Sequence, residues 1–147
     1  MEEETKMKQK AFTLVELLIV MSIIGVLAAI GLGSFTTAQM RGRDAERKSD
    51  LKQISHSLEL YYGDHNSYPA SITFGAVLTD GKTTYFKILP QDPTNGQSYT
   101  YTLVNGSNQK YKLFAHLENA QDKDCIDNNC AQDPNFAVTS ANTDASE

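Results

Sequence analysis

The hydrophobic positions of the chain are concentrated near its N-terminus, where residues 14–32 (LVELLIVMSIIGVLAAIGL) form an almost uninterrupted apolar run. At a rise of about 1.5 Å per residue, an α-helix over this run spans roughly 29 Å, close to the ~30 Å hydrocarbon core of a bilayer. The run is apolar around its whole circumference, which excludes an amphipathic surface helix. Glu16 is the one charged residue between Phe12 and Phe35. The pattern predicts a membrane-spanning helix that carries one carboxylate.

The helix is predicted to continue beyond the apolar run, because no proline occurs before Pro69. Leu51, Ile54 and Leu58 recur at three- and four-residue spacing, which predicts a helix with one buried face. The helix is predicted to end at residues 63–66 (GDHN). The charged residues around this face are interpreted as a solvated or subunit-facing surface: Arg41, Arg43, Asp44, Glu46, Arg47, Lys48, Asp50 and Lys52.

The C-terminal half changes to the alternating pattern of β-strands. Residues 98–104 and 109–117 are rich in Tyr, Thr, Val, Leu and Phe, and the segment NGSN at residues 105–108 joins them, which predicts a hairpin. Residues 136–139 are predicted to add a third strand. The predicted fold class is therefore α+β: a long N-terminal membrane-spanning helix continues into an amphipathic half, which packs on a small antiparallel sheet.

Composition narrows the function. A chain of 147 residues has room for one modest domain, and its net charge of −5 gives no general electrostatic attraction for nucleic acid. The basic residues near Arg41 are diluted by acidic neighbours, so nucleic acid is not an expected partner. The three histidines, at positions 56, 65 and 116, lack the spacing of a metal triad, and no phosphate-binding glycine loop or nucleophile motif is present. We predict that the chain is not an enzyme.

The segment before the apolar run carries Lys8 and Lys10, which favour retention of this end in the cytoplasm. Translation starts at Met1 or at Met7; both remain open. A secretory signal peptide with a cleavage site at residues 31–33 (GLG) is one interpretation, but the apolar run is long for a signal peptide. An ionisable residue such as Glu16 costs about 2.5–3.5 kcal/mol inside a membrane helix, so its presence favours a functional role.

Residues 11–18 (AFTLVELL) resemble the N-terminus shared by prepilins of type IV pili and pseudopilins of type II secretion. The resemblance implies cleavage by a membrane peptidase between Ala11 and Phe12, followed by methylation of the Phe12 amine. Ala11 stands where the family usually has glycine. The resemblance also implies that Glu16 pairs with the Phe12 amine of a neighbouring subunit and sets the axial register. The implied organisation is a leader over residues 1–11, an assembly helix over 12–35 and a soluble pilin-like head over 36–147.

Two further segments place the chain nearer the major pseudopilins within this family. Residues 58–69 (LELYYGDHNSYP) resemble their helix-to-loop junction, and residues 89–93 (LPQDP) resemble the loop before their first strand. The family implies a homo-oligomeric filament, a prepilin peptidase and methyltransferase, an inner-membrane assembly platform and the membrane itself as partners. It also implies a single pass through the cytoplasmic membrane, with the head outside the cytoplasm and later in a periplasmic or cell-surface filament.

The two cysteines, Cys125 and Cys130, are predicted to form a disulfide if the head is exported; in the cytosol, the same pair would indicate metal or redox chemistry. Four aspartates surround them and form a candidate Ca²⁺ site: Asp122, Asp124, Asp127 and Asp133. Their spacing excludes an EF-hand. Major pseudopilins hold calcium in a C-terminal loop, so the resemblance favours this site, and a merely solvated acidic loop is the alternative.

Two functions of different classes follow. The first is a structural filament subunit that is processed by prepilin peptidase and assembled through its N-terminal helix. The second is a single-pass or secreted binding module in which the apolar segment is only an anchor or a signal. The mature N-terminus distinguishes them, because a methylated Phe12 supports the first function, whereas an uncut chain or an end at Ser34 supports the second.

Overall fold

The computed structural model describes residues 12–143, apart from the side chains of Gly31, Leu32 and Asn128. The chain divides into two compact units, Met1–Ala38 and Gln39–Glu147. A single α-helix, α1, covers Leu14–His65 and contributes to both units. It is uninterrupted, as expected from the absence of proline, and glycines within it lower helix stability without ending it. Asn66 ends the helix in the left-handed conformation with φ 51°, and its N–H donates to the Tyr62 carbonyl at 2.7 Å.

In the N-terminal unit, the large apolar side chains of α1 are about half exposed or more from Leu14 to Ile30, with values that range from 49% to 79%. Of the described part of the chain, α1 is the one helix long and apolar enough to cross a membrane. An apolar belt of this size is unstable in water, so it requires lipid or other apolar helices around it. The predicted spanning segment is therefore present as a helix.

The C-terminal unit contains two small antiparallel sheets. Strands β1 (Leu78–Thr79) and β2 (Thr84–Phe86) form a two-stranded ribbon. Strands β3 (Thr100–Leu103), β4 (Tyr111–Ala115) and β5 (Phe136–Thr139) form a three-stranded sheet in the order β3-β4-β5. The α+β prediction and its third strand are confirmed. The sequence did not predict the two-stranded ribbon, because strands of two and three residues are too short to show an alternating pattern.

The predicted hairpin joins β3 to β4. Tyr101 pairs with Leu113, and Leu103 pairs with Tyr111. The turn places Asn105 at φ 54° and Gly106 at φ 65°, a conformation that Asn and Gly adopt at the lowest cost among the common residues. The strands are shorter than the predicted ranges because the β3–β4 pairing runs only from Thr100 with Phe114 to Leu103 with Tyr111.

The core of this unit lies between α1 and the three-stranded sheet. Leu51, Ile54 and Leu58 are fully buried, as their spacing predicted, and Tyr111 and Leu113 of β4 are fully buried with them. Burial of one such leucine stabilises the fold by about 1.5–3 kcal/mol relative to exposure. The same stripe of α1 continues toward the N-terminus, where it meets polar rather than apolar partners.

Candidate assembly site

The first turn of α1 is closed by a reciprocal pair of side chains. The Thr13 backbone N–H and the Thr13 hydroxyl each donate to Glu16 Oε2 at 2.9 Å, and the Glu16 N–H donates to Thr13 Oγ1 at 3.2 Å. This is a capping box, in which the side chains of the N-cap and the third helical residue satisfy two free backbone donors. The sequence analysis missed the role of Thr13, although the pattern Thr-x-x-Glu before an apolar run is its signal.

The predicted cleavage site lies at the edge of this cap. Ala11 lies outside the described residues, so the structure describes only the Phe12 side of the scissile bond. Phe12 precedes the helix and is 81% exposed. An amino group created at Phe12 would be one helical turn from the Glu16 carboxylate, at the positive end of the helix dipole. The described residues therefore present an exposed Phe12 and a carboxylate suited to a cationic partner.

At the start of the C-terminal unit, α1 carries a fully buried arginine. Arg47 Nε lies 2.8 Å from Asp92 Oδ2, and its two terminal nitrogens lie 2.8 Å from Asp44 Oδ1 and 2.8 Å from Glu118 Oε1. The second terminal nitrogen also donates to Thr94 Oγ1 at 2.7 Å. Burial alone would lower the pKa of Arg47, but the hydrogen bonds to Asp92 and Glu118 outweigh it and raise the pKa. The guanidinium therefore joins α1 to two loops.

A second layer of bonds completes this ionic cluster, which consists of Arg43, Asp44, Arg47, Asp92 and Glu118. Arg43 pairs with Glu118 through two nitrogens. Asp44, which is 2% exposed, accepts the backbone N–H groups of Glu118 and of Asn119 at 2.8 Å each. These bonds leave the buried charges of the cluster hydrogen-bonded, which is the condition for their stability away from water.

The cluster corrects one interpretation from the sequence. Asp44 and Arg47 are buried, so the prediction that the charged residues of this helix form a solvated or subunit-facing surface is wrong for these two. A signal was available, because positions 44, 47, 51, 54 and 58 continue one stripe at alternating spacings of three and four. A charged residue on a buried stripe indicates a polar partner from elsewhere in the fold.

The cluster is expected to make the head less stable in acid. The hydrogen bond from Arg43 lowers the pKa of Glu118 from 4.5 to about 2, against an opposing effect of burial and with further help from Arg47. A lowered carboxylate pKa stabilises the fold above the ordinary value and loses this contribution as the pH falls toward 2. We expect the wild type to have a higher free energy of unfolding than Glu118→Gln at about pH 5, and this difference to become smaller as the pH is lowered to about 2. Unfolding titrations at several pH values measure it. A difference that stays constant with pH would contradict this assignment.

Farther along the chain, Cys125 and Cys130 form a disulfide with a Cα–Cα distance of 5.2 Å. Cys125 is 5% exposed and belongs to the hydrophobic core. The bond closes a short loop around the 3-10 turn at Ile126–Asn128. It ties this loop locally, whereas the packing of β4 on α1 holds the rest of the head.

Removal of the disulfide is expected to destabilise the head without unfolding it. A loop of this length predicts a loss of about 2 kcal/mol on the chain-entropy model. We expect a Cys125→Ser, Cys130→Ser double variant to show this loss in denaturant unfolding of the full chain in detergent. The reduced wild type is the matched control and should lose a similar amount. A loss below about 0.5 kcal/mol in both would contradict the prediction.

The four aspartates predicted as a calcium site do not converge. Asp122 and Asp124 both bind Lys48, whereas Asp127 lies in the 3-10 turn at φ 53°. Asp133 is 78% exposed and lies 3.2 Å from His116 Nδ1. Within residues 12–143, no group of three or more His, Cys, Asp or Glu side chains is arranged to hold a metal ion. The described donor set does not fit a calcium ion.

Comparison with known protein families gives two adjoining matches. Residues 6–32 match the prokaryotic N-terminal methylation motif. Residues 33–132 match the family described as type IV minor pilin ComP, DNA uptake sequence receptor. The boundary between the two matches lies within α1, and together the matches cover the apolar segment and most of the head.

Individual relatives include type IV major pilins and a type II secretion system core protein. The type IV major pilin PilE1 of Neisseria gonorrhoeae is 31% identical over 123 residues, which cover 78% of this chain and 73% of that pilin. Type II secretion system core protein G of Pseudomonas aeruginosa is 29% identical over 119 residues, which cover 74% of this chain and 82% of that protein. The type IV major pilin PilA of Myxococcus xanthus is 36% identical over 61 residues, 42% of this chain, and the match spans only 28% of that pilin. No solved structure matches significantly.

A long apolar helix, a helix-on-sheet head and both family matches lead to the same result. The chain belongs to the family of type IV pilins and type II secretion pseudopilins, and it is a structural filament subunit.

Proposed function

We propose that the chain is made as a precursor, cleaved between Ala11 and Phe12, and methylated on the new Phe12 amine. A prepilin peptidase and methyltransferase would carry out both steps, and an inner-membrane assembly platform would then add the subunit to a filament of identical copies. The observation that carries the proposal is the match of residues 6–32 to the N-terminal methylation motif. The exposed Phe12 and the nearby Glu16 carboxylate support it.

Before assembly, the subunit would cross the cytoplasmic membrane once through residues 12–35, with its head outside the cytoplasm. Lys8 and Lys10 support this orientation, since basic residues flanking a span favour the cytoplasmic side. The Cys125–Cys130 disulfide also supports it, because such bonds persist in oxidising compartments. The head, with the organisation predicted over residues 36–147, would then lie in a periplasmic or cell-surface filament.

The mature N-terminus tests the proposal. Mass spectrometry of the protein from its native membrane is expected to find Phe12 as the first residue, with one methyl group on its amine. Ala11→Gly should preserve this product, since it restores the residue usual in the family, whereas Ala11→Leu should block cleavage. An uncut wild-type chain, or one that begins at Ser34, would support the membrane-anchored binding module instead.

Within the family, we favour the pseudopilin group. The match to protein G of Pseudomonas aeruginosa covers 82% of that protein, compared with 73% for the gonococcal pilin. The helix-to-loop junction at residues 58–69 supports the same assignment. Deletion of the gene is expected to abolish export of type II secretion substrates and to leave surface pili intact. Loss of pili with normal secretion would assign the chain to a pilus.

We also expect the head not to bind duplex DNA, although the family matched by residues 33–132 is described as a DNA uptake sequence receptor. DNA binding requires cations that are free to neutralise phosphates. Arg43, Arg47 and Lys48, which form much of the basic segment of α1, are paired with carboxylates of the same head. Fluorescence anisotropy with a labelled duplex at about 0.15 M salt should show no saturable binding, and saturable binding that weakens with salt would contradict this expectation.

A further inference from the structure

Lys48 reaches from α1 into the acidic loop, which we define as residues 122–130. Its Nζ lies 2.6 Å from Asp122 Oδ1 and 2.6 Å from Asp124 Oδ2. The Lys48 side chain is 20% exposed and that of Asp122 is 15% exposed, so this part of the contact is largely removed from water. Pairs of this kind are screened less by salt than exposed pairs are. The ammonium group therefore lies between the first two carboxylates of the predicted calcium site.

Neighbouring groups hold this arrangement in place. The Asp124 N–H donates to Asp122 Oδ1 at 2.9 Å, so the loop turns both carboxylates toward the same side. Lys48 Nζ lies 5.7 Å from the centre of the Phe136 ring, and the positive charge is favoured by the face of an aromatic ring. Lys48 follows Arg47 directly in α1, and Arg47 is held by the ionic cluster. The backbone at Lys48 is therefore held in place, as well as its ammonium group.

A divalent ion does not fit beside this lysine. Calcium takes six to eight oxygen ligands at about 2.3–2.6 Å. Asp122 and Asp124 already contact an ammonium, and a second cation between them would lie within about 4 Å of a like charge. Asp127 and Asp133 do not join them in a ligand set. The Lys48 ammonium from α1 already offsets one of the two carboxylate charges that a metal would neutralise at Asp122 and Asp124.

We propose that the Lys48 ammonium takes the place of a metal ion in the acidic loop. The head then folds, and this loop keeps its position, without a divalent metal. The disulfide closes the loop on itself, and Lys48 fastens its beginning to α1. This inference concerns the head alone and is independent of the proposed leader cleavage.

The test compares thermal unfolding of the full chain in detergent, with added calcium chloride and with the chelator EGTA. The wild type is expected to show the same Tm in both. Lys48→Met keeps the apolar stem but removes the charge, and its Tm is expected to fall by about 4 °C or more in EGTA. Lys52→Met is the matched control, since Lys52 is an exposed lysine one turn further along α1, and its Tm should not change.

A second readout follows the loop itself. In Lys48→Met, the Cys125–Cys130 bond is expected to be reduced by dithiothreitol several-fold faster than in the wild type or in Lys52→Met, since the loop has lost its tie to α1. A wild-type Tm that rises with calcium would overturn the proposal, and this measurement needs no variant. A Lys48→Met protein with wild-type Tm and wild-type reduction rate would overturn it as well. If Lys48→Met does not fold, Lys48→Arg, which keeps the charge, should restore folding, and failure of Lys48→Arg would overturn the proposal.

Discussion

Filament assembly is expected to be lost when Glu16 is replaced by alanine, while leader cleavage at the Ala11–Phe12 bond continues. In the proposed filament, the Phe12 amine of one subunit and the Glu16 carboxylate of another would neutralise each other within the apolar packing of helices. Removal of one partner of a buried pair costs about 3–5 kcal/mol, which is more than a hundredfold in an association equilibrium. Electron microscopy of sheared filaments measures assembly, and mass spectrometry of the membrane fraction measures cleavage.

The capping box at Thr13 gives Glu16 a second role that must be separated from the first. Glu16→Gln keeps an oxygen that accepts the Thr13 N–H, but it has no charge to offer an amine. If register depends on charge, the glutamine variant should be as defective as the alanine variant. Ser22→Ala is the matched control inside the same span, because the Ser22 hydroxyl donates to the Ile19 carbonyl one turn earlier. Normal filaments from Glu16→Gln would contradict the register role and leave Glu16 as a helix cap.

The second large effect is expected at Arg47. Arg47→Met retains an apolar stem but leaves the buried carboxylates of Asp44 and Asp92, which are 2% and 1% exposed, without their shared cation. We expect the free energy of unfolding of the head to fall by about 3–5 kcal/mol, measured by denaturant unfolding of the full chain in detergent. Since a domain of this size is stable by about 5–15 kcal/mol, such a loss would leave part of the protein unfolded.

Two companion variants show whether the effect is specific. Arg41→Ala removes an exposed arginine from the same helix and should change the unfolding free energy by less than about 0.5 kcal/mol. Arg47→Lys keeps the charge but loses the planar fork that reaches Asp44, Asp92 and Glu118 together, so an intermediate loss is expected. A loss from Arg47→Met no larger than that from Arg41→Ala would contradict the structural role of the cluster.

The predicted and observed structures agree where the signal is local. The three-four spacing of Leu51, Ile54 and Leu58 predicts a buried helix face, and all three are fully buried. The Asn105-Gly106 pair predicts a hairpin turn, and both residues adopt positive φ. Hydrophobic periodicity and turn chemistry depend on neighbours a few residues apart, so they can be recognised without knowledge of the fold.

Hydrophobic periodicity and turn chemistry could not reveal the partners of the charged residues on α1. Arg47 meets Asp92 and Glu118, which are 45 and 71 positions away, and Lys48 meets Asp122, which is 74 positions away. The aspartates near the cysteines have the composition of a cation site, but composition does not reveal that a lysine from the helix lies between two of them. Loop packing decides such contacts, and loops follow no periodic pattern.

The sequence alone determined the apolar helix, the motif around Phe12 and Glu16, the buried stripe and the strands of the main sheet. These features depend on side-chain order along a single element. The tertiary structure decided that Arg47 is a buried centre, that Lys48 binds the acidic loop, and that β1 and β2 pair. The reason is physical. A buried charge is stable only when it is paired with an oppositely charged group, and here those groups lie on distant segments whose positions depend on the whole fold.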